Sequence, residues 1–385
     1  MSLLDDIQRA RDGKIITIPF YHDKLKKYIF LTKGVYHLVG GASGSGKSAW
    51  IDYNYVLYPT YWYKNVETDI KLKIILRSME RSKKLRIAKW VCMKLYRKHG
   101  ILIDTNSLLG WGVEETKITD ELFALVKQCY ALVEEELDGV VEVIDGIDNP
   151  TGIYYQLADE ALSKGTLYKY RKHGEDYVIT KQRGNHKSQP IRVQPEECPE
   201  CSKFQPVYVP DNPKEVTIFI VDHLQAMKSE KGYSDKQNLD QMSEYTRILR
   251  DLYGFTPVIV NQLNRNISDT FRKVKTDLLP QDSDFTGSSN MVNDCDMAGI
   301  LFNPYKYGLN KLPGSNWNVK ECIDNYGINR FRSFHLLKNT YGPDSQHFGY
   351  QFIGENGIFN ELPNTISDYT PIAYPKNKQK ITNYV

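Results

Sequence analysis

The sequence predicts an α/β fold, a mainly parallel sheet flanked by helices and interrupted by a β-rich insertion. Three observations predict it. A glycine-rich turn, Gly41-Ala42-Ser43-Gly44-Ser45-Gly46-Lys47-Ser48, lies between a short apolar run and the helix-compatible residues Ala49-Trp50-Ile51-Asp52. Strand-length apolar runs alternate with stretches of helical period, which calls for parallel strands covered on both faces. One of those runs, Val216-Thr217-Ile218-Phe219-Ile220-Val221-Asp222, ends in an acid at the sheet edge where such folds gather ligands.

The composition is that of an ordinary globular chain long enough for one large domain or two: 385 residues, 41% hydrophobic and 25% charged. No stretch reaches the roughly 18 apolar residues needed to cross a bilayer, and the N-terminus does not read as a secretory signal. A cytoplasmic, membrane-free protein is expected. Cys92, Cys129, Cys295 and Cys322 are scattered, and Cys198 and Cys201 form one Cys-Pro-Glu-Cys pair, which is not a disulfide framework. A net charge of +3 is too small to indicate a polyanionic partner by itself, so a nucleic-acid reading must rest on local basic patches.

In chain order, residues 1–20 read as an N-terminal arm whose residues 2–12 suit a short helix, with Ser2 as N-cap and Leu3, Leu4, Ile7 and Ala10 on one stripe. Its apolar stripe must dock on its own domain or on a neighbouring subunit. Residues 21–165 form the first part of the core: the glycine-rich turn, a tyrosine-rich segment 53–63, a strand 71–80, helices near 81–99 and 118–136, and a strand at 140–144 followed by a turn at 145–150. Residues 166–213 break the alternation with a hairpin-like stretch and the Cys-Pro-Glu-Cys pair, and read as an insertion. The core resumes at 214–362 with strands at 216–222 and 258–260 around a helix near 236–253. The tail 363–385 reads as partly disordered.

The glycine-rich turn fits G-x-x-x-x-G-K-[ST], a phosphate-binding loop. Glycines let successive backbone N–H groups curl around phosphate oxygens, and the helix that follows adds its positive end. Lys47 is placed to reach the β- and γ-phosphates of ATP, and Ser48 to coordinate Mg²⁺. Asp222 at its strand exit completes the metal shell. Glu80, at the end of another strand, is the candidate to deprotonate water, and Gln262, after the 258–260 strand, the candidate to sense the γ-phosphate. For each the alternative is a surface polar residue after a strand.

The order Gly41 to Ser48, Ser78-Met79-Glu80, Ile220-Val221-Asp222-His223-Leu224-Gln225 and Asn261-Gln262-Leu263-Asn264-Arg265 resembles the RecA-like motor domain of DnaB-type replicative helicases. The likeness continues through Ser283-Asp284-Phe285 to Asn293-Asp294-Cys295-Asp296, and through Leu337-Lys338-Asn339-Thr340-Tyr341-Gly342-Pro343, similar to the family's Lys-x-Arg-x-Gly-Pro motif. It implies Glu80 as catalytic base, Gln262 as sensor and Lys338 as a residue offered to the neighbouring subunit's nucleotide. It also implies a homo-oligomer, a hexameric ring around single-stranded DNA, with primase or other replication proteins as partners and a bacteriophage as a fitting source. Lys228, Lys231, Arg265, Arg272, Lys273 and Lys275, on loops after the nucleotide-binding strands, would then face the DNA.

Three departures bear on what the resemblance implies. The family's N-terminal primase-interacting domain is expected to be absent, with residues 1–20 alone read before the core, Thr340 stands where the trans-acting arginine is expected, and Thr286-Gly287-Ser288-Ser289 replaces the family's DNA-contacting Arg-Glu-Ser-Gly. Arg330 or Arg332 is a candidate replacement for that arginine, set against a plain surface role. Two rival readings follow: a recombinase-like ATPase that coats single strands, and an assembly protein that keeps the nucleotide site without unwinding. In the insertion, Lys169, Arg171, Lys172, Lys181, Arg183 and Lys187 interleave with Tyr168, Tyr170 and Tyr177, a mixture suited to phosphates and bases, or simply to a solvated hairpin. Cys198 and Cys201 supply half a zinc site, with His173 and His186 as candidates to complete it, which is weak support for zinc.

Overall fold

The structure, a computed structural model, describes residues 3–13, 17–111, 118–173, 176–193, 205–264, 267, 278–287, 289–309, 312 and 317–363. Its first elements are α1 (Leu3–Arg11), the short antiparallel pair β1 (Ile18–Pro19) and β2 (Phe30–Leu31), and β3 (His37–Gly41), which enters the glycine-rich turn. There follow α2 (Lys47–Ile51), α3 (Tyr58–Asn65), β4 (Lys71–Ser78), α4 (Lys83–His99), α5 (Thr105–Leu108), α6 (Asp120–Leu137), β5 (Val141–Asp145) and α7 (Pro150–Ser163). After a small second sheet come β11 (Glu215–Asp222), α8 (Asp235–Asp251), β12 (Thr256–Gln262), the helix Ser289–Asp294, β13 (Met297–Phe302), the helix Val319–Tyr326, β14 (Phe331–Asn339), β15 (Gln346–Ile353) and β16 (Ile358–Glu361).

Nine strands form the main sheet in the order β16-β15-β14-β13-β3-β12-β11-β4-β5. From β13 to β5 every pairing is parallel, while β14, β15 and β16 add an antiparallel extension. The central strands are apolar almost throughout because helices cover both faces: Ile218, Ile220, Val258, Val260 and Leu38 are all fully buried. One core cluster forms between the sheet and α2, α4 and α6, the other between the sheet and α7 and α8. Since β3, β11, β12 and β4 run the same way, Gly41, Asp222, Gln262 and Ser78 all arrive at one edge.

The tyrosine-rich segment 53–63 is the continuation of the helix that leaves the glycine-rich turn. Between α2 and α3 the ladder widens into a π turn over Asp52–Leu57, just before Pro59, which has no N–H to donate to an α-helical ladder. Trp50 fixes this helix to the sheet. It is fully buried, stacks on His22 with centroids 5.0 Å apart and meets Phe334, Tyr350 and Phe359. Truncating it to alanine would cost about 3–5 kcal/mol.

The sequence reading stopped at a turn over 145–150 and missed α7, which Asn149 caps by accepting from the Gly152 amide at 2.8 Å. Just beyond it, β6 (Gly165–His173), β7 (Asp176–Arg183), β8 (His186–Lys187), β9 (Ile191–Val193) and β10 (Val207–Pro210) form the second, antiparallel sheet. Tyr168 pairs with Lys181 and Lys169 with Thr180, so strand alternation puts Tyr168 and Tyr170 on one face and Lys169 and Arg171 on the other. Lys181 and Arg183 share the tyrosine face, Lys181 lying 5.6 Å above the Tyr168 ring. The basic residues of the hairpin therefore stand on both faces, part of them beside the tyrosines. Arg183 is held by Asp211 at 2.8 and 2.6 Å.

Cys198 and Cys201 lie outside the described residues, as does the tail beyond residue 363. Among the described residues no group of three or more His, Cys, Asp or Glu side chains could hold a metal, and no helix is long and apolar enough to cross a membrane.

Candidate nucleotide-binding site

The phosphate loop is built from backbone that only glycine accepts at two points. A Cβ on Gly41 would stand 2.6 Å from Lys47 Cγ and 2.7 Å from Ser45 Oγ, so any side chain there would displace the lysine. Gly46 adopts φ 96° at the start of α2, with Phe352 2.9 Å from where its Cβ would be. The loop closes on itself through the Ser45 amide, which donates to the Ala42 carbonyl at 3.1 Å. From outside, Lys306 donates to the Ser43 carbonyl at 3.0 Å, and Arg332 donates from Nε to the Ser45 carbonyl at 2.8 Å.

Beside the loop lies a cleft of about 300 Å³, lined by Ala42, Ser43, Gly44, Lys47 and Ser48 together with Glu80, Lys89, His223, Gln262 and Phe352. Lys47 is 8% exposed and donates to the Ala42 carbonyl at 3.2 Å. Burial holds its ammonium down to about 8, against the pull of Asp222 and Glu80, while Lys306 adds to the depression. An anion in the cleft would relieve that state.

Asp222 is fully buried. Burial alone would raise its carboxyl, but the Arg86 guanidinium, helped by the nearby Ser48 hydroxyl and His223, holds it below the ordinary carboxylate value. Its Oδ2 accepts from Arg86, while Oδ1 is buried without a hydrogen-bond partner. An unsatisfied buried oxygen on a carboxyl that the Ser48 hydroxyl also influences fits a hard divalent cation, which takes carboxylate and hydroxyl oxygens. The loop, Ser48 and Asp222 are thus the residues that could hold ATP and Mg²⁺.

Glu80 follows β4, with its side chain 54% exposed and Oε2 3.5 Å from His223 Nε2. The Met79 amide donates to the Asp222 carbonyl at 2.9 Å, tying its turn to β11. Gln262 ends β12 and lines the cleft. Its backbone is set by Gln225, whose Oε1 accepts from the Gln262 amide at 3.0 Å while Nε2 donates to Asn261 Oδ1 at 2.8 Å. The sequence reading gave Gln225 no role, although it quoted the residue in Asp-His-Leu-Gln. Arg86 and Lys306 were missed outright, because nothing in local spacing marks them.

Lys338 stands apart from these residues. It is in register with Ala298, itself in register with Leu38, near the entry end of β3 rather than the exit, and its Nζ donates to the Val292 and Asn293 carbonyls at 2.8 Å each. Neither Arg330 nor Arg332 is a free surface cation. Arg330 pairs with Glu355, its NH2 2.5 Å from Oε1, and Arg332 is 1% exposed. Lys228 and Lys231 are exposed on the segment between β11 and α8. Arg265, Arg272, Lys273 and Lys275 lie outside the described residues.

Residues 164–343 match the family model of the DnaB-like helicase C terminal domain. This segment is DnaB-like in sequence. The DnaB-like segment is a little under half of the chain and contains Asp222, Gln262 and Lys338, whereas the phosphate loop and Glu80 precede it. Among solved structures, the chain is similar to a DnaB-like replicative helicase described with its interactions with primase, at TM-score 0.61 and 14% identity, over 94% of this chain and 68% of that one. It is also similar to the ATPase domain of G40P, at TM-score 0.57 and 14% identity, over 94% of this chain and 96% of that one. At that identity the likeness is one of fold: the sheet and its flanking helices are those of the RecA-like DnaB ATPase domain. A search of curated proteins gives no match.

Proposed function

We propose that the chain is an ATP-dependent motor of the DnaB-like type that acts on single-stranded DNA in replication. The observation that carries this reading is the meeting of Lys47, Ser48, Asp222, Glu80 and Gln262 at one sheet edge, in a chain whose residues 164–343 are DnaB-like. The loop amides and Lys47 would hold the β- and γ-phosphates, and Ser48 with Asp222 the magnesium. A bound magnesium would supply charge neutralisation at the phosphoryl oxygens. Glu80, half exposed at the rim, would take the proton from water, and Gln262 would carry the state of the site to Gln225 and the loop behind it.

The assembly that this reading implies is a homo-oligomer, a hexameric ring with DNA in its channel, open to a primase-type partner. Lys228, Lys231, Arg265, Arg272, Lys273 and Lys275 are then the DNA contacts. If backbone phosphates dominate, affinity falls steeply with salt and is indifferent to sequence. Neutralising Lys273 and Lys275 together should weaken binding for every sequence and flatten the log-log salt slope by roughly one to two.

The experiment is ATP turnover measured with and without single-stranded DNA. Strong stimulation supports the motor. A flat response, with binding that ignores salt and both lysines, favours the nucleotide-binding assembly protein, the reading that Thr340 at the trans-acting arginine's place suits.

A further inference from the structure

Arg86 lies in the first turn of α4, 1% exposed, and three elements converge on its guanidinium. NH2 donates to Asp222 Oδ2 at the exit of β11. NH1 donates to Asp52 Oδ1 at 2.5 Å, on the helix that leaves the phosphate loop. Nε donates to Ser78 Oγ at 2.9 Å, and Ser78 Oγ in turn donates to the Arg81 carbonyl at 2.6 Å, closing the turn that presents Glu80.

Stability alone does not call for this cluster. Two carboxylates and a guanidinium taken out of water lose hydration that their pairing only about repays, and apolar side chains of similar volume would fill the space as well. What the cluster does supply is direction. A carboxylate at a strand end can rotate, and Arg86 fixes Asp222 by one oxygen while the other, Oδ1, is left buried and without a partner. The planar fork sets that orientation in a way a point charge such as lysine would not. Arg86 also reaches the phosphate-loop helix and the Glu80 turn at once, so three parts of the cleft share one rigid anchor.

We propose that Arg86 is a positioning residue for the divalent cation: it holds Asp222 by Oδ2 so that Oδ1 is presented beside Ser48, and it locks the Glu80 turn to the same point through Ser78. This rests on the reading of the cleft as a magnesium–nucleotide site. Outer partners of metal-ligating carboxylates are worth about 10- to 100-fold in metal affinity.

The test measures binding. Fluorescent ADP is titrated into the full chain in EDTA and then across a magnesium series, for wild type, Arg86→Lys and Ser78→Ala, with thermal melts to establish the folded fraction. Arg86→Lys should leave affinity in EDTA within about twofold of wild type and raise the magnesium concentration for half-maximal enhancement by about tenfold or more. Ser78→Ala removes only the Nε acceptor and the tie to Arg81, and should raise it by a smaller factor; this variant carries the test if Arg86→Lys does not fold. An unchanged magnesium midpoint in whichever variant folds overturns the proposal, as does a loss of affinity that is equal with and without magnesium, the mark of a purely structural role. If wild type itself shows no magnesium-dependent nucleotide binding, the underlying reading falls and takes this inference with it.

Discussion

Arg332 donates its Nε proton to the Ser45 carbonyl at 2.8 Å, so a strand near the end of the described chain fixes the crown of a loop near its beginning. NH2 reaches the Gly44 carbonyl at 3.4 Å, NH1 donates to the Phe331 and Asn329 carbonyls at 2.8 and 3.0 Å, and the guanidinium lies 4.9 Å above the Phe352 ring. Burial, with Arg330 adding to it, lowers this guanidinium to about 10. Its donors are therefore committed within its own subunit, Nε and NH2 to the loop and NH1 to the start of its own strand. Arg332→Met should strand buried carbonyls at a cost of about 1–3 kcal/mol each and weaken nucleotide binding. Arg332→Lys, which can reach only some of them, should fall between. Denaturant melts and nucleotide titration check the order; a methionine variant as stable and as tight as wild type would remove the strut.

Lys47 and Glu80 face the same cleft with opposite expected consequences. Lys47→Ala should abolish nucleotide binding, because no other side chain replaces the buried ammonium against the β- and γ-phosphates. Glu80→Gln keeps the shape at the rim and loses the base, so binding should persist while turnover falls by roughly 10²-fold or more. Wild-type turnover in Glu80→Gln would take Glu80 out of that role.

The arm helix α1 leaves Leu4 74% and Ile7 54% exposed. A nine-residue helix with an uncovered apolar stripe is not stable by itself, and the surface that covers it is expected on another copy of the chain. Deleting residues 1–12 should give smaller species in light scattering. The same particle size before and after deletion would return the helix to its own subunit.

Buried imidazoles make acid the vulnerable side of this fold. Burial lowers His22 to about 4, against hydrogen bonds to Phe359 and Asn54 that raise it, and lowers His37 to about 3. Both are depressed below the unfolded value near 6.5, so the unfolded chain takes up protons first as pH falls. The stability they lend is complete above about pH 6.5 and is lost on the way down towards 4, about 3 kcal/mol from His22 alone. His22→Gln should lower stability at neutral pH yet flatten its fall with acid by up to about 1.4 kcal/mol per pH unit. Parallel stability curves for the two proteins would assign the acid response elsewhere.

Legibility in the sequence followed the range of the interactions. The glycine-rich turn, the acid after Val216–Val221 and the hairpin around residues 168–181 are local patterns, and each was readable because spacing alone specifies it. Asn149 and Pro150 were visible as a turn but not as the cap of α7, since a capping asparagine and a turn asparagine look alike until the helix behind them is seen. Arg86 and Lys306, and the bond of Arg332 to the phosphate loop, were invisible for another reason. Their partners lie between 1 and 288 residues away in sequence in no fixed order, Arg332 to Gly44 being the longest, and a lone cation in a helix or strand carries no periodicity to betray burial.

Lys338 provides the sharpest test of assembly. In the sheet its level is that of Ala298 and Leu38, whereas the phosphate loop leaves β3 after Gly41, level with Leu301 and Phe334. Four residues of strand separate Phe334 from Lys338, about 13 Å, and the loop carries Lys47 further still. Lys338 therefore cannot serve the nucleotide beside its own Lys47; any nucleotide it touches belongs to a neighbour. Lys47→Ala and Lys338→Ala should each lose turnover as pure proteins. Mixed and allowed to exchange subunits, they should regain part of it, because a subunit with an intact Lys47 then receives Lys338 from a neighbour that has lost only its own loop lysine. Turnover that stays at the level of the separate variants, in a mixture shown to form joint particles, would exclude a contribution in trans.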